Sequence, residues 1–156
     1  MTEQQHADEL RGLVEGRRFA MFTTVGADGV LVSRPMTIQE FDGWVVRFIA
    51  QDDNDVTRQS DGRQVNLAVM DGSTYVSLSG TGRVERGVAE KRALWDRLTE
   101  AYAGRPEDPD NIVLEVHVSS GEYWTGGNPL TRVLGLAKAA VTGERPDSGD
   151  HGAVQV

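Results

Sequence analysis

Cysteine is absent from the 156-residue sequence, and histidine is scarce. Without cysteine, the chain forms no disulfide, no thiolate metal centre and no cysteine nucleophile. The three histidines, His6, His117 and His151, lie far apart in the sequence. Zinc sites that use histidine bring several such donors together, so we expect no metal site here.

Positive charge and long apolar segments are also in short supply. Lysine and arginine number 16 against 24 aspartates and glutamates, for a formal net charge of -8. This charge repels a nucleic acid on average. No apolar run approaches the roughly 18 residues of a membrane span, and no basic segment followed by an apolar one opens the chain. We therefore expect a cytoplasmic protein that binds neither nucleic acid nor a membrane.

The length and composition fit one small domain. Apolar residues make up 38% of the chain, which is enough for a core. A protomer of this size completes its apolar burial by self-association in many proteins. A homodimer is therefore expected.

Alternating and β-branched residues predict an antiparallel sheet, and apolar residues at helical spacing predict helices around it. Gly80 and Gly82 indicate a bulge or a sharp bend within one strand. The fold class is therefore α+β, mainly β, and a small barrel closes such a sheet without long edges. We predict six strands, over residues 19–25, 30–40, 44–49, 64–70, 74–84 and 112–124. We predict helices over residues 3–16, over the segment that follows Asp55 and ends at Ser60, over 88–102 and over 129–142. The predicted domain therefore covers residues 1–143, and residues 144–156 are predicted to form a flexible tail.

Motifs for nucleophilic or nucleotide chemistry are missing. The sequence has no G-x-S-x-G, and Ser119 and Ser120 have no basic residue beside them. Gly80-Thr81-Gly82 is a fragment of a dinucleotide fingerprint inside a strand, where that motif does not function. The residues alone identify no catalytic group.

The segment Ser33-Arg34-Pro35-Met36-Thr37 resembles the pyridoxamine 5′-phosphate oxidase-like, FMN-binding split-barrel superfamily. Within it, the chain is most similar to the branch of small bacterial general stress proteins, because residues 134–139 resemble the C-terminal helix of that branch. Other similar segments follow in the family's order and cover most of residues 8–146, at 22–24, 28–29, 65–67, 75–80, 94–95, 109–110, 114 and 122–124.

The resemblance implies a homodimeric split barrel with two FMN sites at the subunit interface. Its strand with the Arg-x-Met pattern passes beside the flavin ring system, and the end of strand three approaches the ribityl chain and the phosphate. Trp124, with Gly126 and Gly127, resembles the Trp-x-Gly-Gly segment of the oxidase, although ordinary barrel packing explains Trp124 equally well. The residues that the resemblance implies for cofactor binding are Arg34, Pro35, Met36, Thr37, Phe48, Ile49, Arg58, Tyr75, Val76, Trp124 and Arg132.

One position departs from the family's pattern. Relatives that hold FMN tightly place a lysine where this chain has Asp55, and the run Asp52-Asp53-Asn54-Asp55 repels a phosphate dianion. Arg58, Arg63, Arg47 or the amides of a helix N-terminus are the alternatives for a phosphate contact. Without one of them, the chain binds flavin weakly, binds another ligand or keeps only the fold.

A second departure bears on the reaction. The true oxidase has two arginines at the positions of Leu130 and Leu134, so oxidation of pyridoxamine phosphate is not expected. Two functions remain open. One is a general-stress-type, FMN-dependent oxidoreductase with an unknown small-molecule substrate. The other is a non-enzymatic stress or ligand-binding dimer that has lost tight FMN binding or holds another planar cofactor, haem or a deazaflavin. A purely structural protein–protein module is a third reading, and it requires an exposed apolar groove.

Overall fold

The structure is a computed structural model that describes residues 1–126, 140–141, 143 and 150–156. Among the described residues, no helix has the length and apolarity to cross a bilayer. The elements that follow one another along this part of the chain are α1 (Glu3–Val14), β1 (Phe19–Val25), β2 (Leu31–Thr37), β3 (Glu40–Asp42), β4 (Val45–Gln51), α2 (Asp55–Ser60), β5 (Gln64–Asp71), β6 (Thr74–Glu85), α3 (Val88–Leu94), α4 (Arg97–Ala103), β7 (Asn111–Thr125) and β8 (Asp150–Gln155).

All the strands join one antiparallel sheet in the order β2-β1-β5-β6-β7-β4-β3. The long strand β7 pairs with β4 through its first half and with β8 through its second half, along the same edge. β2 and β4 contact each other across the open seam of the sheet without forming a backbone ladder. The result is the predicted α+β, mainly antiparallel split barrel.

Inward-facing side chains alternate along the strands and fill the barrel. Phe22 of β1 and Phe48 of β4 meet edge to face at its centre, with ring centroids 5.2 Å apart. Helix α1 closes one end with Leu10 and Val14, and a capping box between Thr2 and Gln5 begins this helix.

The bulge predicted from the glycine-rich part of β6 is confirmed. The pairing of β6 with β7 shifts register between Ser79 and Gly80, so Ser119 of β7 has no partner in the ladder. A Cβ atom at Gly80 would overlap the His117 carbonyl, and one at Gly82 would overlap the Ser60 carbonyl. Both glycines are required because another backbone segment passes directly against them.

The helix predicted over residues 88–102 is two short helices. Trp95 has extended backbone angles, and the Asp96 side chain accepts a hydrogen bond from the Thr99 amide at 2.8 Å. Asp96 therefore caps a new helix, α4, and interrupts the earlier one. Leu98 and Tyr102 of α4 are both exposed, although their spacing is that of the apolar face of one continuous helix.

The second and third predicted strands also differ from the structure. The strand predicted over residues 30–40 ends at Thr37, and Glu40–Asp42 forms the separate strand β3, paired with β4. Gly43 and Trp44, both with positive φ, make the two-residue turn between them. The sheet consequently has eight strands within the described residues, not six.

The prediction of a flexible tail is wrong for the last residues of the chain. Residues Asp150–Gln155 form β8, where Val154 is buried and Gly152 lies against the ring of Tyr123. β4 pairs only with the first half of β7, and β8 pairs with the second half of the same edge. The domain therefore extends past residue 143. Residues 144–149 and most of the helix predicted over 129–142 lie outside the described residues.

A candidate ligand-binding groove between β2 and β4

A cleft of about 420 Å³ lies along the seam between β2 and β4. The start of α2 and the end of α4 cover its sides. We call it the apolar cleft, and its lining residues are Arg34, Pro35, Met36, Ile49, Ala50, Gln51, Asn54, Val56, Tyr102 and Ala103. Seven of these ten residues are apolar or aromatic, and a cleft of this size and lining suits an organic cofactor.

A second cavity, of about 410 Å³, continues from the first. We call it the polar cleft, and its lining residues are Arg34, Asp53, Asn54, Asp55, Val56 and Arg58. Arg34, Asn54 and Val56 line both cavities, so the two clefts adjoin, and we call them together the groove. One half of the groove is lined mainly by apolar residues, and the other half is lined mainly by charged residues.

One wall of the apolar cleft is held in place by packing in the core and by a hydrogen bond between α2 and β4. Ile49, Ala50 and Val56 are nearly buried and belong to the packed framework. Thr57 Oγ1 donates a hydrogen bond of 2.7 Å to the Gln51 carbonyl, which ties α2 to the end of β4. The rigid strands therefore set the width of the cleft at this side.

Tyr102 lines the opposite side of the same cleft, and its ring is exposed at the end of α4. Its hydroxyl accepts a hydrogen bond of 3.0 Å from Gln39 Nε2, which holds the ring beside the groove. An aromatic face in this place suits stacking on a planar ligand.

Arg34 lies where the two clefts meet. Its Nη1 donates a hydrogen bond of 2.7 Å to Thr24 Oγ1, which in turn donates to Gln59 Oε1 at 2.6 Å. Burial lowers the pKa of Arg34, while the Asp55 carboxylate acts in the opposite direction. The guanidinium remains charged at neutral pH, so the groove has a fixed cation at its centre.

The acidic loop at the far end of the groove is internally paired. Arg58 Nη2 lies 2.5 Å from Asp55 Oδ1, and Arg58 Nη1 also donates to the Asp53 carbonyl. Asp52 pairs with Arg86 at 2.8 Å, and this hydrogen bond lowers the pKa of the Asp52 carboxyl group. Among the described residues, this end of the groove therefore has no arginine or lysine that is not already paired.

The structure brings part of the predicted site together. Arg34, Pro35, Met36, Ile49 and Arg58 line the groove. Thr37 belongs to β2 but does not line either cleft. The side chain of Phe48 points into the core and packs on Phe22, because neighbouring residues of a strand face opposite ways.

Three other predicted residues lie away from the groove. Val76 is buried in the core, and Tyr75 and Trp124 are cross-strand partners on the outer face of the sheet. Trp124 stacks on His151 of β8, with ring centroids 5.2 Å apart. Arg132 and Gly127 lie outside the described residues. Within one protomer, Tyr75, Val76 and Trp124 therefore do not line the groove.

The outer face of the sheet exposes a group of large apolar side chains, which we call the outer apolar face. Strand pairing places them on the same side of the sheet, opposite the core. They are Phe19, Met70, Tyr75 and Trp124, together with Leu31, which pairs with Val25 at the other end of β1 from Phe19. Exposed apolar surface of this kind often marks an interaction site.

Tyr102, Gln51, Asn54 and Val56 line the groove but were not among the residues predicted for the site. The position of Asn54 before a helix start was a signal for a loop at a strand end, where ligand sites collect. Tyr102 has no comparable signal, since its apolar spacing indicates a core position and only the break at Asp96 turns α4 toward the groove.

The family model described as pyridoxamine 5′-phosphate oxidase like matches residues 5–147. No curated protein matches the chain significantly. Among solved structures, one named for general stress protein 26, from Jannaschia sp. CCS1, is 25% identical, with a TM-score of 0.75 over 98% of this chain and 99% of that one. The general stress FMN/FAD binding protein from Xanthomonas citri is 26% identical, with a TM-score of 0.66 over 80% of this chain and 90% of that one. A heme binding protein from Mycobacterium smegmatis shares the fold at 18% identity and a TM-score of 0.63, over 80% of this chain and 55% of that one.

Proposed function

Since the chain belongs to the pyridoxamine 5′-phosphate oxidase-like family, we propose that it is a flavin-binding protein of the general stress type. The observation that carries the proposal is the groove along the seam, with its apolar cleft of about 420 Å³ and Arg34 at its centre. The relative from Xanthomonas citri, named an FMN/FAD binding protein, supports the same ligand class.

The residues of the apolar cleft have separate tasks in this proposal. Pro35, Met36 and Ile49 supply apolar contact for the ring system, and Tyr102 covers it from α4. Arg34 places a fixed positive charge beside the ligand, which favours negative charge there. A bound flavin supplies hydride or electron transfer, and the protein supplies orientation and exclusion of water.

The reaction that we propose is oxidation or reduction of a small molecule by the bound flavin. Pyridoxamine 5′-phosphate is not the proposed substrate, because Leu130 and Leu134 replace the arginines that would hold its phosphate. The substrate and the electron donor are left open.

A cytoplasmic homodimer is part of the proposal. The outer apolar face exposes Met70 and Leu31 by more than half of their surface, and a second copy of the chain would cover them. In such a dimer, Tyr75 and Trp124 lie at the subunit interface. This gives these two family-implied residues a role that they do not have in the single protomer.

A second candidate is a non-enzymatic ligand-binding dimer, with haem or a deazaflavin in the groove or with no tight cofactor. The ion pair between Asp55 and Arg58 favours it, since that pair removes the cation expected for a phosphate. The fold shared with the heme binding protein is compatible with it.

Titration of the purified protein with riboflavin and FMN tests the main proposal. We expect flavin fluorescence to be quenched on binding and flavin absorption to remain with the protein after desalting. Ala50→Leu places extra volume in the apolar cleft and weakens binding, whereas Ala153→Leu, on the exposed side of β8, leaves it unchanged. Retention of haem or deazaflavin in place of flavin would favour the second candidate.

A further inference from the structure

The polar cleft has a charge arrangement that does not suit a phosphate group. The charged groups that line it are the carboxylates of Asp53 and Asp55 and the guanidiniums of Arg34 and Arg58, so their formal charges cancel. Arg58 is already paired, with its Nη2 2.5 Å from Asp55 Oδ1. A phosphate dianion entering here adds negative charge next to two carboxylates and must compete with Asp55 for Arg58.

Arg34 does not replace the missing cation at the outer end of the polar cleft. It lines both clefts and is therefore at their junction, with Nη1 anchored on Thr24 Oγ1 at 2.7 Å. The outer end is bounded instead by Asp53 and Arg58. The positive charge of Arg34 consequently acts on the ligand near the middle of the groove.

The other arginines considered for a phosphate contact are also committed or distant. Arg47 pairs with Glu40 at 3.0 Å and with Glu115 at 2.8 Å, in a separate cleft. Arg63 lines neither half of the groove, and Arg86 pairs with Asp52 at 2.8 Å. None of these three brings a free charge to the polar cleft in the described part of the chain.

Carboxylates have a different preferred partner, the hydroxyl group. An ionised carboxylate only accepts hydrogen bonds, and a hydroxyl donates one to it without bringing net charge. A ribityl chain with several hydroxyls therefore suits Asp53, Asn54 and Asp55 better than a phosphate does. Both carboxylates are at the surface of the loop, so water also reaches them.

We propose that Asp53 and Asp55 are specificity-determining residues that make the groove prefer riboflavin, with its uncharged polyol tail, over phosphate-bearing FMN. This inference rests on the proposed flavin-binding function. The polar cleft selects the chain attached to the flavin ring, and the apolar cleft holds the ring itself.

The test compares the dissociation constants of riboflavin and FMN for the full chain and three variants, by quenching of flavin fluorescence. In the wild type, riboflavin binds at least about threefold more tightly than FMN, the size expected for partly exposed charges. Asp55→Asn removes one charge and releases Arg58, so FMN binding tightens by about threefold or more relative to riboflavin. Asp53→Asn changes the preference in the same direction.

Asp52→Asn is the matched control, because it changes the net charge equally but alters a residue that pairs with Arg86 outside both clefts. It leaves the ratio of the two dissociation constants unchanged. Added salt narrows the gap between riboflavin and FMN in the wild type, since the effect is electrostatic and partly exposed.

Several results overturn the inference while the proposed function stands. They are equal affinities in the wild type, a preference for FMN, or a ratio that neither Asp53→Asn nor Asp55→Asn changes. If neither flavin binds the wild type, the proposed function itself fails and this inference fails with it. Binding of either flavin to the wild type therefore separates a failure of this inference from a failure of the proposed function.

Discussion

Asp55 and Arg58 form an ion pair across the first turn of α2, with Oδ1 of the carboxylate 2.5 Å from Nη2 of the guanidinium. Asp55 occupies the position at which the family resemblance implies a lysine. The ion pair therefore joins two facts about the polar cleft: the expected cation is missing, and the nearest substitute is already neutralised. Reversal of one charge should have a measurable effect on phosphate binding.

We predict that Asp55→Lys tightens FMN binding by about 1 kcal/mol, because it adds a cation and frees Arg58 at a partly exposed site. The measurement is a fluorescence-quenching titration with FMN. Riboflavin is the control ligand, and its affinity should not increase. An FMN affinity that stays the same or falls would show that the phosphate does not lie near α2.

We predict that Tyr102→Ala weakens riboflavin binding by about 1 kcal/mol and raises the fluorescence of the flavin that remains bound, because a stacked aromatic ring is lost. Leu98→Ala is the control, since Leu98 is 62% exposed on the same helix and Tyr102 is 58% exposed. Equal effects of the two variants would place the ligand away from α4. Tyr102→Phe keeps the ring and loses only the hydrogen bond from Gln39, so it should weaken binding less than Tyr102→Ala does.

We predict that Met70→Glu converts the proposed homodimer to a monomer, because it places a charge within the outer apolar face. Sedimentation velocity measures the change. Leu98→Glu introduces the same charge at an equally exposed apolar residue on α4, outside that face, and should leave a dimer. A wild-type chain that sediments as a monomer would contradict the homodimer.

Two glycines provide a matched test of the role of β8. Gly152 lies against the Tyr123 ring, where a Cβ atom would overlap it, while Gly12 in α1 has open space around it. We predict that Gly152→Ala lowers the free energy of unfolding by about 1–3 kcal/mol. Gly12→Ala should raise it by about 0.4–1 kcal/mol. Denaturant titration checks both, and an unaffected Gly152→Ala variant would mean that β8 does not pack on Tyr123.

We predict that deprotonation of the Tyr123 hydroxyl lowers the stability of the protein in strong alkali. Burial and a hydrogen bond that the hydroxyl donates to Glu9 at 3.0 Å raise its pKa to about 12. An unfolded tyrosine loses its proton near pH 10, so this contribution is complete below about pH 10 and falls as the pH rises from about 10 to about 12. The expected loss is on the order of 1–2 kcal/mol.

Tyr123→Phe identifies the source of that loss. Comparison of the free energies of unfolding of the two proteins at about pH 9 and about pH 12 isolates the phenol proton, because other groups titrate alike in both. The difference between wild type and variant should shrink at the higher pH. A constant difference would assign the alkaline loss to other groups.

Much of the fold was predictable from the sequence because the strands alternate between core and surface. Phe22 and Val65 to Val69 follow that pattern, and the strands around them are where they were expected. The resemblance carried by Arg34-Pro35-Met36 is confirmed by the family model. The bulge at Gly80 was also predictable, since a glycine inside a strand has few other causes.

The errors have different physical origins, which are a local helix cap, a long-range strand pairing and the alternation of faces along a strand. The Asp96 cap divides a predicted helix, and this division brings Tyr102 to the groove. Gly152 and Val154 looked like parts of a flexible tail, but the free half of the β7 edge pairs with them. Phe48 and Ile49 are neighbours in sequence, yet only Ile49 reaches the groove, because the strand turns them to opposite faces.

The central claim is that the groove between β2 and β4 binds a flavin ring. A crystal structure of the protein soaked with riboflavin tests it most directly. The account predicts density for the ring system in the apolar cleft, against Met36, Ile49 and Tyr102, with the ribityl chain toward Asp55. Density for the ring elsewhere, or a saturating soak that leaves this cleft empty, would contradict it.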